Sequence, residues 1–398
     1  RMVVMLVPGE LVPDYNRDGM IDDQDRRRVT KGNPWRWWIN DDNDVRGEER
    51  GSNERDIPGQ PEGERDGDDL VVDGMRDLID FFPLFVELKG MLRLFPSSDF
   101  SYQLRHQDGS LNFYEDANVL LNNSDPKNSL RSPLLDWETG SLKKDYDVQN
   151  IDAQGVSLSE DILSQFEANK GVLYLEGRSK TDKPLILEVR KRSDQRLMTR
   201  IEFPLMLVSV EDMYRQVNLR ELCGGSGGAE SRSTEPEAYS DENSLSMYPD
   251  ALTNGDYLAY IHGYNTSGDS ARGSQSNLFK RFHQMGSKAR FVGISWFGNP
   301  ENPGLNFGLP PDYHRAVANG LKSGRELKQH LAFMGNDSHI TVLAHSLGNS
   351  VASHAIANHG WEVDAYCIIN GAIALEAYDA AQTENSSQAG YGPQHDRG

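Results

Sequence analysis

The sequence predicts a multidomain chain with an acidic N-terminal region, a β-rich sandwich-like domain and a C-terminal parallel α/β sheet. Three observations carry this reading. At 398 residues the chain exceeds what one hydrophobic core usually organises. Its texture changes near residues 80 and 222, first into short β-rich runs and then into a Gly, Ser and Glu-rich stretch. Beyond residue 248, apolar runs alternate strictly with helical patterns, as parallel strands joined by helical crossovers do.

Composition narrows the partners. Lys and Arg number 41 against 61 Asp and Glu, a formal net charge of −20. That field repels nucleic acid and anionic membrane surfaces and favours cations, so neither a nucleic-acid partner nor a membrane span is expected. No apolar run approaches the roughly 18 residues that cross a bilayer. The Met2 to Pro8 run is too short for a complete signal peptide and reads as a strand. Cys223 and Cys367 alone exclude a disulfide scaffold. The chain opens on Arg1, which leaves room for a removed upstream segment.

Residues 1 to 80 are rich in Asp, Asn, Arg and Gly, a composition that needs a neutralising partner if it is to order. Asp14 to Asp25 (DYNRDGMIDDQD) supplies the pattern for one. Oxygen-bearing side chains fall at the first, third, fifth, ninth and twelfth places (Asp14, Asn16, Asp18, Asp22, Asp25), and Met20 offers a carbonyl at the seventh. Gly19 makes the turn at the sixth, and Ile21 packs inward at the eighth. This alternation converges six or more oxygens on one point, which is what Ca²⁺ requires. Asp at the twelfth place makes the loop resemble the dockerin-type loop of secreted bacterial proteins, which implies an extracellular or cell-surface location. Only one such loop is present, so the cation is expected to staple the N-terminal region. The clusters Asn40 to Asp44 and Asp66 to Asp73 lack loop spacing and read as solvated or weakly liganding. Trp35, Trp37 and Trp38 read as local core in preference to a sugar-stacking platform.

Residues 81 to 221 carry the runs FSYQLRH, VLYLEG, LILEVR and LMTRIEF between turn clusters, which suggests an antiparallel sandwich or barrel. Ser157 and Glu160 form an S-x-x-E cap ahead of one amphipathic helix through Ile162, Leu163 and Phe166. Residues 222 to 248 read as a linker. Residues 249 to 398 then alternate: YLAYIHG, a helix through Leu278 to Met285, ARFVGISWFG, a helix through Ala316 to Phe333, HITVLAHS, a helix from Ser350, and DAYCIING.

Ala344-His345-Ser346-Leu347-Gly348 lies between an apolar strand and a helix, the setting of a G-x-S-x-G nucleophile elbow with Ala in the first position. Small neighbours let so sharp a turn lie close to the flanking strand and helix. Upstream, Tyr257 to Ile261 ends in His262-Gly263-Tyr264-Asn265, where an HG motif places a backbone N–H in an oxyanion hole. The donors would be the Tyr264 and Leu347 amides. IHGYN, ARG, FKRF, GSKARFVGISWFG and AHSLGNSVASHAI together resemble an uncharacterised bacterial branch of the α/β-hydrolase superfamily with lipase- and esterase-like elements, over residues 249 to 380. The resemblance implies an α/β-hydrolase-like sheet, Ser346 as nucleophile, and an ester-type small molecule or lipid as substrate.

The triad order in such hydrolases is Ser, acid, His. The strand after the nucleophile helix ends at Asn370, which leaves Glu376 or Asp379 as acid, or a later residue. His354 and His359 lie in or beside the nucleophile helix, so His395 is the one general-base candidate within the chain. Residues 249 to 398 make a short hydrolase domain, and the expectation is that the strands bringing the base follow Gly398. The sequence thus predicts a secreted, calcium-stabilised serine hydrolase. The alternative is a binding or adhesion protein that keeps the fold without a working triad.

Overall fold

The computed structural model describes residues 9–41, 78–114, 148–168, 171–225, 248–300, 312–335 and 337–373. The chain divides into two units. One comprises Arg1–Met213 with Ser276–Ser287, and the other Tyr214–Gln275 with Lys288–Gly398.

The first unit contains β1 (Glu10–Pro13), β2 (Trp35–Trp38), β3 (Phe81–Glu87), α1 (Lys89–Leu94), β4 (Phe100–Arg105), β5 (Leu111–Tyr114), β6 (Val148–Ile151), β7 (Val156–Ser157), α2 (Glu160–Glu167), β8 (Val172–Gly177), β9 (Leu185–Lys191), β10 (Leu197–Phe203) and β11 (Leu205–Val208). Two antiparallel sheets run in the orders β1-β3-β8-β5-β6 and β10-β9-β4-β7, and β2 pairs with β11 in parallel. The runs read as strands from their β-branched and aromatic content form β4, β8, β9 and β10. The boundary expected at residue 80 is not kept. Glu10 pairs with Glu87 and Trp35 with Leu205, so the acidic N-terminal region contributes strands to the β-rich unit. Pairing of this kind joins residues too distant for any local pattern to announce.

Trp35, Trp37 and Trp38 are buried, and the rings of Trp37 and Trp38 stack with centroids 4.0 Å apart. They are core. Beside them Lys280 is buried in ion pairs with Asp41 and Asp80, and the Trp38 indole donates to Asp80 Oδ1 at 2.6 Å. In α2 the buried face is Ile162, Leu163 and Phe166, as the spacing predicts. The cap is Ser159 rather than Ser157: its side chain accepts from the Ile162 N–H at 3.3 Å, while Ser157 is taken up by β7.

The second unit holds β12 (Arg215–Asn218), β13 (Tyr257–Ile261), α3 (Gly268–Gln284), β14 (Arg290–Ser295), α4 (Tyr313–His330), β15 (Ile340–His345), α5 (Gly348–His359) and β16 (Ala365–Ile369). The last turns of α3 are grouped with the first unit. The strands form one parallel sheet in the order β12-β14-β13-β15-β16. Crossover helices require a parallel sheet to be apolar along its length, and β13 is buried at all five positions. The sheet begins earlier than the linker placement predicts. Arg215–Asn218 (RQVN) is short and polar at three of its four positions, and only its pairing with Val292 to Ser295 makes it a strand. The helix expected over Leu278 to Met285 begins ten residues sooner, at Gly268. Among the described residues no helix is long and apolar enough to cross a membrane. The Met2 to Pro8 run lies outside them.

Candidate active site

The central pair β13 and β15 sets the site. Ile261 pairs with Ala344 in register, so both strands end at one level of the sheet's C-terminal edge, where parallel α/β sheets place their ligands. The chain leaves β15 at His345 and enters α5 at Gly348, turning within Ser346 and Leu347. Ser346 has φ 49°, a left-handed conformation that a side-chain-bearing residue adopts only when its surroundings enforce it.

Those surroundings can be named. The Ser346 N–H donates to the Ile369 carbonyl of β16 at 2.9 Å, and the Ser346 carbonyl accepts from the Ala372 and Asn349 N–H groups, each at 3.2 Å. A Cβ on Gly263 would lie 2.9 Å from Ser346 Cβ, and one on Gly348 would lie 2.4 Å from the His262 carbonyl oxygen. Glycine at both places is what lets the turn close onto the end of β13. Asn349, fully buried, completes the clamp. Its Nδ2 donates to the carbonyls of Ala344 at 2.9 Å and Ser346 at 2.8 Å, and its Oδ1 accepts from the Tyr366 hydroxyl at 2.7 Å. Ser346 is half-buried at the tip.

Leu347 is the N-cap of α5, where the first N–H groups of a helix have no intrahelical acceptor. Tyr264 lies three residues past the end of β13, outside the strand ladder, next to the Gly263 that touches Ser346. Its ring meets Tyr313 edge-on at 5.2 Å, and its phenol is held above the ordinary value by burial and by the Asp312 carboxylate. The predicted nucleophile and both predicted oxyanion residues thus come together at one edge of the sheet.

His262 is a structural part of the site. Its Nε2 accepts from the Trp296 N–H at 3.1 Å, so Nδ1 carries the proton and donates to the Gly263 carbonyl at 2.9 Å. The Trp296 indole donates to the His262 carbonyl at 2.7 Å, and the two rings stack. With both nitrogens engaged, His262 offers no base. His354 and His359 bond each other through Nε2 at 3.0 Å. His354 is eight positions beyond Ser346, about 12 Å along the axis at 1.5 Å per residue. Glu376, Asp379 and His395 lie outside the described residues.

The loop at 14–25 is closed by its own carboxylates. Asp14 accepts from the N–H groups of Asp18 and Gly19 at 3.2 and 2.9 Å, and Asp18 from that of Met20 at 2.9 Å. Asp25 accepts from Tyr15, Asn16 and Asp22. Gly19 has φ 82°, as the sixth place demands. Asp14 and Asp25 are buried, and burial, with Asp25 and Asp18 nearby, pushes the Asp14 carboxyl up to about 6. Asn16 and Asp22 sit at the third and ninth places and bond within the loop, Asp22 accepting from Gln24. Among the described residues no three His, Cys, Asp or Glu side chains converge as they would around an ion.

Asn349, Tyr366 and the strand β12 escaped the sequence reading. A buried Asn three positions after the serine, in a helix where Asn is otherwise a poor former, is the one local signal that pointed to the clamp. Residues 245–391 match a family model described as "Alpha/beta hydrolase of unknown function (DUF900)". The match spans β13 to β16 and leaves β1 to β12 and the 14–25 loop outside. No curated protein and no solved structure matches the chain. In its parallel sheet and over these residues the C-terminal unit is similar to α/β-hydrolase domains.

Proposed function

We propose that the chain is a serine hydrolase of ester or related acyl substrates, with Ser346 as nucleophile and the Tyr264 and Leu347 amides as oxyanion donors. The observation that carries this is the left-handed Ser346 at a strand-turn-helix junction, closed against Gly263 from the adjacent strand. A polar residue that merely caps a helix needs no such conformation. In the reaction the Ser346 Oγ adds to the acyl carbon as its proton passes to a histidine, the two amides hold the oxyanion, and the alcohol leaves with that proton. Water then hydrolyses the acyl-enzyme. His395 is our candidate base, with Asp379 or Glu376 as acid.

The test is labelling by a fluorophosphonate probe together with turnover of p-nitrophenyl acetate and butyrate. Label on the Ser346 peptide, lost in Ser346→Ala along with turnover above background, is the expected result. If the base is not engaged, oxyanion hole and binding alone leave about 10³- to 10⁴-fold catalysis over water. An unlabelled chain overturns the assignment and leaves a fold retained for binding or adhesion.

We also propose that the 14–25 loop takes Ca²⁺, supported by the positive φ at Gly19 and by two buried carboxylates drawn into one turn. Asp14, Asn16, Asp18, Asp22 and Asp25 would supply side-chain oxygens and Met20 its carbonyl, and the ion would offset the charge that burial disfavours at Asp14. Calcium at a hundredfold over its dissociation constant stabilises by about 2.7 kcal/mol. A chelator should therefore lower the melting temperature, and Asp18→Ala should abolish that response. A melting curve indifferent to chelator rules the site out.

A further inference from the structure

We infer that Arg220 is a positioning residue for the oxyanion loop, tying the turn after β13 to the turn after β14 and thereby fixing where the Tyr264 amide lies. The inference rests on the serine-hydrolase reading for its catalytic meaning, but its geometry stands alone. Arg220 follows β12 and is 3% exposed. Its Nη1 donates to the carbonyls of Thr266 and Trp296, each at 3.2 Å, and its Nη2 to Asn299 Oδ1 at 2.8 Å. The guanidinium lies over the Phe297 ring, 5.3 Å from its centroid. Its own backbone is fixed in turn, the N–H donating to Asn218 Oδ1 at 3.0 Å.

The two turns are also joined directly. The Asn265 N–H donates to the Gly298 carbonyl at 2.9 Å, and a Cβ on Gly298 would lie 3.0 Å from the Gly263 carbonyl oxygen. Tyr264 therefore sits between anchored neighbours, Gly263 on one side and Asn265 with Thr266 on the other. Burying a guanidinium is unfavourable, so its donors must be engaged. The Asp269 carboxylate offsets part of that cost. An aliphatic side chain would fill the same volume more cheaply. What it lacks is the rigid planar fork that spans two carbonyls in fixed geometry, and that difference explains why Arg occupies the position.

The experiment compares the full chain with Arg220→Met and Arg220→Lys. A misplacement of about 1 Å in such a site costs on the order of 10²-fold in rate. Arg220→Met should therefore slow both fluorophosphonate labelling of Ser346 and kcat by about that factor, with KM nearly unchanged. Arg220→Lys should recover little, because an ammonium is a point donor. Amide exchange over Gly263–Thr266 should speed up in both variants, and also in a Ser346→Ala background where turnover plays no part. Unchanged exchange in that segment, or unchanged kcat in a folded variant, overturns the assignment. If wild-type Ser346 takes no label, the nucleophile reading falls and the exchange comparison alone decides the tie. Faster exchange then upholds it and equal exchange refutes it. Should Arg220→Met fail to fold, Arg220→Lys carries the same comparison.

Discussion

The loop at 14–25 and the turn at 345–348 each hold a side-chain-bearing residue at positive φ, Arg17 at 60° and Ser346 at 49°, and they sustain it by different means. The loop is closed locally: Asp14, Asp18 and Asp25 accept N–H groups from within their own twelve residues. The elbow is closed from a distance, by Gly263 after β13, by Ile369 and Tyr366 of β16, and by Asn349 bonding backward across the turn. A left-handed side chain costs on the order of 1–3 kcal/mol. Paid by local bonds, that cost is met mostly within the loop, with the Arg17 guanidinium alone reaching out to the His283 carbonyl. Met from a distance, it falls due only once a sheet has assembled, and it couples the site to every strand that contributes.

The largest expected effect breaks the distant half of this comparison. In Gly348→Ala the added Cβ meets the backbone carbonyls of His262 and Ile261, at 2.4 and 2.8 Å. Overpacking of this kind typically costs about 1–3 kcal/mol. Calorimetry should show the second unit melting earlier, and Ser346 should lose its label. Next comes Asn349→Ala, which removes the amide's bonds to the Ala344 and Ser346 carbonyls and to the Tyr366 hydroxyl and should cost about 1–3 kcal/mol. Tyr366→Phe removes one partner of the same network, so its cost should be smaller and the two should fail to add in a double-mutant cycle. Additive costs would mean the network does not act as a unit.

A smaller effect has the opposite sign. Ser346→Gly relieves the left-handed strain of about 1–2 kcal/mol against a glycine entropy cost of about 0.5–1 kcal/mol. It should raise the melting temperature slightly while removing the nucleophile. Arg17→Gly should show no such gain, because the Arg17 guanidinium also donates to the His283 carbonyl at 3.0 Å. Equal gains at both positions would erase the distinction drawn above.

A further effect is one of pH. Burial, with the Arg17 guanidinium nearby, holds the His283 imidazole well below its ordinary value. The unfolded chain takes up this proton below about pH 6.5 while the folded chain does not, so this stability is complete above that pH and is lost as pH falls. Asp14, pushed up to about 6, acts in the opposite direction below that pH. The informative quantity is thus the difference between wild type and His283→Leu in melts from pH 7.5 to 5 with chelator present. That difference should shift against the wild type as pH falls through about 6.5, and a difference constant with pH would rule the linkage out.

What the sequence disclosed follows the same division. AHSLG, IHGYN and the spacing of DYNRDGMIDDQD are short-range patterns, and the elbow, the adjacent loop and the turn at Gly19 are where those patterns place them. The alternating apolar runs gave β13 to β16 nearly to the residue. The pairings that draw Glu10 to Glu87 and Arg215 to Val292 were not legible, because the residues involved are few, polar in part and brought together only by tertiary contact. Arg220 falls at the end of the β-rich stretch in sequence, and nothing local marks it as part of the site. Its partners at Thr266, Trp296 and Asn299 become neighbours only when the sheet exists.

The register of β13 against β15 also bears on the order of events in folding. The β9 and β10 strands pair antiparallel across a short turn, a contact that forms in about 1–10 μs in hairpins. Tyr257 meets Ile340 only after α3, β14 and α4 have been gathered between them, so the chain entropy must be surrendered before that pairing is rewarded. The left-handed turn at Ser346 depends on that pairing, so we predict that it is acquired on the native side of the rate-limiting barrier. Relieving it in Ser346→Gly should slow unfolding and leave refolding untouched, moving one arm of the chevron and not the other.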